Sequence, residues 1–365
     1  MRVLATALTA LAVGGLAGCG SQAATVITSQ APAAETAPLA TSLATAQGLW
    51  AIVPMGDATD TGRFWQLFVR PAGPAATWSL ATPPGVADNG GLVAAGTPSS
   101  LLIGFRPSQG LAFSPLATST DAGKNWAPSV LPAALADVPD ALSIAPSGTG
   151  LALLADGTVE TSSPAGTWSR LTTVPALAAS AAGRRCGLTG VIATSFGQNG
   201  VKIVAGSCSR TDVAGVFTQT AGGWQLTGPN LGITRSVQVL RLAGSTALLR
   251  SGTSLYAAWY AGGRWTVSPP LAGAGELAAS GFGGGGSAWV LPGSGRPEVV
   301  SEPGGRWQAL PAAPAGTVVL APGTPAQALS VSGTGGTVLT VWRLSAGSWV
   351  KAQVINVPIG AGSSG

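Results

Sequence analysis

Histidine is absent from the 365 residues, and charged residues of every other type are scarce. Without His the chain lacks the commonest general base and metal ligand, and Ser-His-Asp catalysis is excluded. Charged residues make up only 8% of the chain, against about 25% in an ordinary soluble domain. The net charge of +5 is spread thinly, without the basic and aromatic clusters of nucleic-acid binders. We therefore predict no metal, no cofactor and no nucleic-acid partner.

What the chain has in abundance is turn-forming and apolar residues. It contains 54 Gly and 27 Pro, and 46% of its residues are hydrophobic. This composition is typical of short apolar strands joined by many turns, with no long charged helices. The mean hydropathy is +0.39, yet the one long uninterrupted apolar run lies at the N-terminus. We therefore expect an all-β body rather than a membrane-spanning one.

The N-terminus has the pattern of an export signal. Met1 and Arg2 are followed by an apolar segment through Gly15 that is too short to span a bilayer. The next four residues, Leu-Ala-Gly-Cys ending at Cys19, resemble the bacterial lipobox. The resemblance implies that residues 1–18 are removed and that Cys19 is diacylated, which gives stable membrane anchoring. The alternative is an ordinary signal peptide with an incidental Cys.

The segments beside this signal complete the domain boundaries. Residues 19–40 are rich in Ala, Thr, Ser, Gln and Pro and predict a flexible tether. The protein would then sit at the outer face of the cytoplasmic membrane, within the cell envelope. In that compartment the two remaining cysteines, Cys186 and Cys208, are expected to form a disulfide. Residues 359–365 are predicted to be a disordered tail.

A tryptophan-containing turn repeats along the chain. In Ser119-Thr-Asp-Ala-Gly-Lys-Asn-Trp126, the residues Ser119, Asp121, Gly123 and Trp126 match every fixed position of the Asp-box consensus S-x-D-x-G-x-x-W. Looser copies give tryptophans at 78, 168, 224, 265, 307 and 349, with successive spacings of 48, 42, 56, 41, 42 and 42 residues. In this motif Gly supplies positive φ, while Ser and Asp side chains bind nearby amides, so its expected role is structural.

The repeat resembles that of the BNR, or Asp-box, β-propellers of the sialidase-like superfamily. It predicts an all-β fold over residues 41–358, a seven-bladed β-propeller of four-stranded antiparallel blades. The superfamily includes sialidases, other glycoside hydrolases, and non-catalytic propellers such as photosystem-assembly and sortilin-like proteins. A sialidase would need an Arg triad, a Tyr paired with Glu, and an Asp. The only tyrosines, Tyr256 and Tyr260, fall in a predicted third strand away from such a site, so the activity is not carried over.

Each predicted blade has four strands, lettered A to D in chain order, and the connections between these strands lie on two opposite faces of the predicted propeller. The first face carries the turns between strands A and B and between strands C and D, including the Asp-box. The second face carries the B–C turns and the D–A connections. Its candidate binding residues are Arg63, Arg106, Arg184, Arg185, Arg210, Asp57, Asp60, Asp137, Asp140 and Asp156. Aspartate also favours turns for local reasons, so a purely structural role for the Asp residues remains the alternative.

The irregular spacing of 56 residues marks an insertion in the fourth unit. Cys186 falls just before its strand A and Cys208 just after its strand B, so their bond would join two loops of the second face. Arg184, Arg185 and Arg210 flank this bond, which suggests an anionic partner; a merely rigid loop is the other interpretation. We expect a non-catalytic binding or scaffold propeller with a protein or cell-envelope glycan as partner. The alternatives are a glycoside hydrolase or lyase using second-face carboxylates, and an envelope assembly factor.

Overall fold

The computed structural model describes most of the chain beyond residue 40. The described residues are 41–45, 48–56, 63–73, 75–82, 92–96, 101–105, 116–121, 124–129, 139–163, 167–283, 286–294, 296–300, 302–323 and 325–357. The predicted signal, lipidation site, tether and tail lie outside this part. Within it the chain forms 28 β-strands and two short α-helices.

The strands follow one another in units of four, lettered A to D within each unit. Unit 1 has β1 (Thr41–Thr45), β2 (Gly48–Gly56), β3 (Arg63–Pro71) and β4 (Ser79–Leu80); unit 2 has β5 (Leu92–Gly96), β6 (Leu101–Phe105), β7 (Leu116–Ser119) and β8 (Ala127–Ser129); unit 3 has β9 (Ala141–Ile144), β10 (Gly150–Leu153), β11 (Thr158–Ser162) and β12 (Trp168–Thr173). Unit 4 has β13 (Leu188–Phe196), β14 (Lys202–Cys208), β15 (Gly215–Thr220) and β16 (Gly223–Leu226); unit 5 has β17 (Gln238–Ala243), β18 (Thr246–Ser251), β19 (Ser254–Ala261) and β20 (Arg264–Val267). Unit 6 has β21 (Leu277–Phe282), β22 (Ala288–Pro292), β23 (Glu298–Val300) and β24 (Gln308–Ala309); unit 7 has β25 (Thr317–Ala321), β26 (Gln327–Ser332), β27 (Val338–Ser345) and β28 (Ser348–Asn356).

Each unit is an antiparallel meander in the order A-B-C-D. Units 2, 3, 4, 5 and 7 are separate four-stranded sheets, whereas units 1 and 6 belong to one eight-stranded sheet. These two are joined by a parallel contact in which Leu43 of β1 opposes Phe282 of β21. Every meander is contiguous in sequence, as the tryptophan frame predicts. The parallel contact between two A strands was not expected.

The A strands of neighbouring units lie side by side. β5 contacts β9, β9 contacts β13, β13 contacts β17, β21 contacts β25, and β25 contacts β1. Antiparallel meanders arranged with their first strands together are the architecture of a β-propeller. The structure therefore confirms the predicted all-β propeller fold.

The hydrophobic core lies between adjacent sheets. One cluster joins Leu153 and Val159 of unit 3 to Val204 and Phe217 of unit 4. Similar clusters join units 4 and 5, units 5 and 6, and units 6, 7 and 1. Middle strands are covered on both faces, which explains why β10, for example, is buried along its whole length. Burial of this kind is the main term that stabilises the fold.

Several of the repeated tryptophans connect their unit to the preceding one. The indole Nε1 of Trp126 donates to the carbonyl of Ala81 at 3.0 Å, and that of Trp349 donates to the carbonyl of Pro311 at 3.2 Å. Both acceptors lie just beyond the D strand of the preceding unit. The tryptophan therefore contributes both buried apolar area and a hydrogen bond between sheets.

The turn before Trp126 is closed by Asp121. Its Oδ1 accepts from the hydroxyl of Ser119 at 2.8 Å and from the backbone N–H of Asn125 at 2.9 Å, and its Oδ2 accepts from the Asn125 side chain at 2.6 Å. These bonds, the Asn125 amide first, lower the pKa of Asp121 to about 2. Ser119 is buried, and Gly123 lies outside the described residues. The carboxylate thus has a local structural role.

Candidate functional site

The described candidate residues of the second face come from four connections. Asp140 ends the D–A connection before β9, and Asp156 lies in the B–C turn of unit 3. Arg184 and Arg185 lie in the D–A connection before β13, and Arg210 follows β14. Of the remaining candidates, Asp57, Asp60, Arg106 and Asp137 lie outside the described residues, as does the side chain of Arg63 at the start of β3.

Asp156 stabilises the turn in which it lies. Its Oδ1 accepts from the backbone N–H of Thr158 at 2.8 Å and its Oδ2 accepts from the Thr158 hydroxyl at 3.0 Å. This is the local hydrogen bonding that makes Asp common in turns. The structure therefore supports the structural interpretation for this aspartate and does not pair its carboxylate with that of Asp140.

The insertion in unit 4 is a pair of short helices that the sequence pattern did not indicate. α1 (Val174–Ala179) is capped by Thr173, whose hydroxyl accepts from the backbone N–H of Ala176. α2 (Ala181–Cys186) is capped by Ser180, whose hydroxyl accepts from the Gly183 N–H at 3.0 Å. Side-chain caps of this type stabilise helix starts. The helices occupy the D–A connection between β12 and β13, on the second face.

Two glycines let the insertion fold tightly. A Cβ on Gly183 would lie 2.0 Å from the carbonyl oxygen of Leu177, so α2 approaches α1 at a distance that no side chain allows. Gly187 ends α2 with φ +64°, a left-handed conformation that favours glycine. Arg184 donates from its guanidinium to the carbonyl of Ala179. The insertion is thereby held as a compact lobe.

The disulfide predicted from the sequence is present. Cys186 at the end of α2 bonds to Cys208, and both are buried. Cys208 is the last residue of β14 rather than the residue after it. The backbone N–H of Ser209 also donates to the carbonyl of Gly187 at 2.9 Å, and that of Arg210 to Cys186 at 3.2 Å. Two second-face loops of unit 4 are thus tied together covalently and by hydrogen bonds.

A cleft lies beside this disulfide, between units 4 and 5. Its volume is about 420 Å³. The lining residues are mostly small or polar: Ser207, Cys208, Ser236, Val237, Gln238, Arg250 and Gly252. They come from the end of β14, the start of β17 and the end of β18. The cleft therefore lies on the second face and is walled on one side by the disulfide.

One arginine lines the cleft, and two others lie close to lining residues in the sequence. Arg250 faces Gln238 across the pair β17–β18, and its Nη2 donates to the carbonyl of Gly275 at 2.9 Å, which fixes the side chain at the cleft wall. Arg235 directly precedes the lining residue Ser236, and Arg210 lies two residues after Cys208. Guanidinium groups in such a position favour carboxylate, sulfate or phosphate groups.

Arg250 is a residue that the sequence analysis missed. It follows the apolar run Ala247–Leu249 near the end of a B strand, where a charged residue marks the approach to a second-face turn. Its place beside Gln238 depends on the register between β17 and β18, which is not readable from one sequence. Arg235 was likewise not among the candidate residues of the second face.

Neither a metal-binding cluster nor a membrane-spanning helix occurs in the described residues. They contain no group of three or more His, Cys, Asp or Glu side chains that would hold a metal ion. Among them, neither helix has the length or the apolar character needed to cross a bilayer.

Comparison with known proteins yields similarity of structure. No protein-family model matches the sequence, and no curated protein matches it. YCF48 from Cyanidioschyzon merolae is 14% identical, with 87% of this chain and 96% of that chain covered and a TM-score of 0.48. A putative 6-phosphogluconolactonase from Bacteroides uniformis is 13% identical, with 85% and 97% covered and a TM-score of 0.48. A fucose-specific lectin from Aleuria aurantia is 12% identical, with 89% and 98% covered and a TM-score of 0.39. Likenesses this distant do not assign a function.

Proposed function

We propose that this protein is a lipid-anchored, extracytoplasmic β-propeller that binds a protein or cell-envelope glycan through its second face. The observation that carries the proposal is the cleft between units 4 and 5, whose wall is fixed by a disulfide and by the Arg250–Gly275 hydrogen bond. A rigid cleft loses little entropy when a partner binds. The arginines around it favour an anionic group on that partner.

The proposed body is a ring of seven blades. Trp78 of unit 1 donates from Nε1 to Oε1 of Gln327 in unit 7 at 2.7 Å. Its backbone N–H and carbonyl also pair with the side-chain amide of Gln353 in β28, at 3.0 and 2.8 Å. A repeated tryptophan thus also joins the first unit to the last, although its acceptor is a side chain rather than a main-chain carbonyl. A contact of this kind between the two ends of the chain supports closure of the seven units into one ring.

The proposed anchor rests on the lipobox-like sequence that ends at Cys19. A diacylated Cys19 followed by a tether of about 20 residues would hold the propeller some tens of Å from the bilayer. Changing Cys19→Ser should move the protein from the membrane fraction to the soluble fraction and abolish labelling by a radioactive fatty acid. Retention of both properties would refute the anchor.

The binding proposal is tested by affinity capture from solubilised envelopes and by sedimentation with cell-wall polysaccharide. The double variant Arg235→Gln/Arg250→Gln removes two cleft charges, and Arg264→Gln removes one exposed charge at the start of β20, next to the first-face turn of the same unit. We expect the partner to be lost with the double variant and retained with Arg264→Gln, with both variants folded by circular dichroism. Equal recovery with both would contradict a partner site at this cleft.

A further inference from the structure

Arg241 is a cation on the inner wall of the propeller. It lies in β17, the A strand of unit 5, directly after a register shift at Val239. Its Nε donates to the hydroxyl of Ser280 in β21 at 2.8 Å, and Ser280 is fully buried. The side chain therefore crosses from the A strand of one unit to the A strand of the next.

This position is unusual for a charge. The seven A strands of the described structure contain one charged residue, Arg241; the others are apolar or are Gly, Ser, Thr or Gln. An interior charge normally lies beside an opposite charge, because its removal from water is costly. A guanidinium held among uncharged strands needs a different explanation.

The guanidinium lacks a charged partner in the described part of the chain. Its bond to Ser280 is to a neutral hydroxyl, which orients the group but leaves its charge in place. Its Nη2 is buried and makes no hydrogen bond there. Burial alone lowers the pKa of Arg241 to about 10, so the group stays protonated at neutral pH. A buried donor without an acceptor is a mark of a missing water or ion.

The A strands around Arg241 supply no acceptor for its Nη2 among the described residues. Polar groups on these strands already have partners, since Ser143 donates to Thr194 at 3.2 Å and the N–H of Gly244 donates to the hydroxyl of Ser195 at 2.7 Å. Arg241 keeps part of its surface accessible, so a small anion can reach it and act as the acceptor.

We propose that Arg241 binds one small monovalent anion, a halide or a carboxylate, at the inner wall between units 5 and 6. The site is separate from the cleft: Gln238 at the start of β17 lines the cleft, and Arg241 lies three residues further along the strand. The anion would neutralise the guanidinium and accept from its Nη groups. It would stabilise the folded state in proportion to its occupancy.

The experiment titrates chloride, bromide and acetate separately into the full chain, with ionic strength held constant by the salt of a bulky sulfonate buffer, and follows the unfolding temperature. We expect a saturable rise with at least one of the three small anions. We expect no rise for Arg241→Gln and an unchanged rise for Arg264→Gln, the exposed control. The anion that gives the rise distinguishes a halide from a carboxylate site. No rise in the wild-type protein, or an equal rise in Arg241→Gln, would overturn the proposal.

A second variant tests the proposal if Arg241→Gln does not fold. Ser280→Ala keeps the charge of Arg241 but removes the hydroxyl that orients its side chain. It should raise the apparent dissociation constant of the anion about tenfold, the loss of affinity expected for one hydrogen bond. Crystals soaked in the anion that gives the rise should show that anion within about 3.5 Å of the Arg241 guanidinium, as an anomalous peak where the anion is bromide. An unchanged dissociation constant in Ser280→Ala, or a soaked crystal with only water at that position, would contradict the site.

Discussion

At the scale of single residues, the carboxylate of Asp121 shows how one side chain holds a turn. Hydrogen bonds to the charged form lower its pKa from 3.8 to about 2. A lowered pKa in an acid stabilises the folded state above the unfolded-state pKa, and this stabilisation is lost as the pH falls through the folded-state pKa. The effect is therefore complete above about pH 5 and fades between pH 4 and pH 2.

We predict that Asp121→Ala lowers the unfolding temperature at pH 6, because the Ser119 hydroxyl and the Asn125 N–H lose their acceptor. The difference from the wild-type protein should shrink at pH 2.5, where the wild-type carboxylate is partly protonated. Thermal unfolding at the two pH values measures both. A difference of the same size at pH 2.5 would show that the charged form has no special role.

Glu160 in β11 differs from Asp121 in that its pKa is raised rather than lowered in the folded state. Its carboxyl is buried, with Oε2 lacking a hydrogen-bond partner among the described residues. Burial raises its pKa, although Arg170 across the strand pair opposes the shift. An acid whose pKa is raised by folding destabilises the folded state above that pKa and ceases to do so as the pH falls below it.

We therefore expect Glu160→Gln to raise the unfolding temperature at pH 7 and to lose that advantage as the pH approaches 4. Glu302→Gln, at an exposed position, serves as the matched control and should change little at either pH. A Glu160→Gln variant less stable than wild type at pH 7 would show that the electrostatic attraction of Arg170 for this carboxylate outweighs the burial of the charge.

At the scale of elements, the insertion of unit 4 depends on a covalent bond. The Cys186–Cys208 bond closes a segment of 22 residues, which should stabilise the fold by about 3 kcal/mol through the unfolded state. We predict that Cys186→Ser/Cys208→Ser loses about that amount in urea unfolding, and that it weakens partner binding because the cleft wall is freed. Reductant should lower the stability of the wild-type protein and leave the variant unchanged. Equal sensitivity of both proteins to reductant would contradict this role.

The strand frame was predictable, and the helical insertion was not. The spacing of the tryptophans predicted repeated units of four short strands, because Gly and Pro turns delimit short apolar runs. In contrast, α1 and α2 have six residues each, too few to show a helical period. They exist because Thr173 and Ser180 cap them and because Leu177 and Cys186 pack into the core between units 3 and 4.

Some features of the candidate sites were likewise predictable from the sequence, and others were not. The disulfide was predictable because Cys186 and Cys208 are the two cysteines outside the lipobox-like segment, in an expected compartment where disulfides persist. The second-face position of Arg210 followed from its place after a B strand. The cleft and the inner-wall position of Arg241 were not predictable, because both depend on which strands of different units lie together. Such contacts are set by the packing of distant segments, and a single sequence carries no direct signal for them.

At the scale of the whole molecule, the contact between Trp78 and unit 7 is the test of ring closure. Trp78 is 2% exposed, and its indole satisfies the buried amide of Gln327. Trp78→Phe should cost about 1–3 kcal/mol, because it leaves a buried acceptor unpaired. Trp349→Phe removes an equivalent bond at a partly exposed position and should cost less. Equal losses in urea unfolding would show that the Trp78 contact does not hold the two ends together.

The central claim is that the partner binds through the second face, and site-specific photo-cross-linking tests it most directly. A photoreactive residue at Gln238, in the cleft, is compared with one at Ala221, in the first-face turn of unit 4. In intact cells we expect a discrete cross-linked species from position 238 and none from position 221. A cross-link from position 221 with none from position 238 would contradict it.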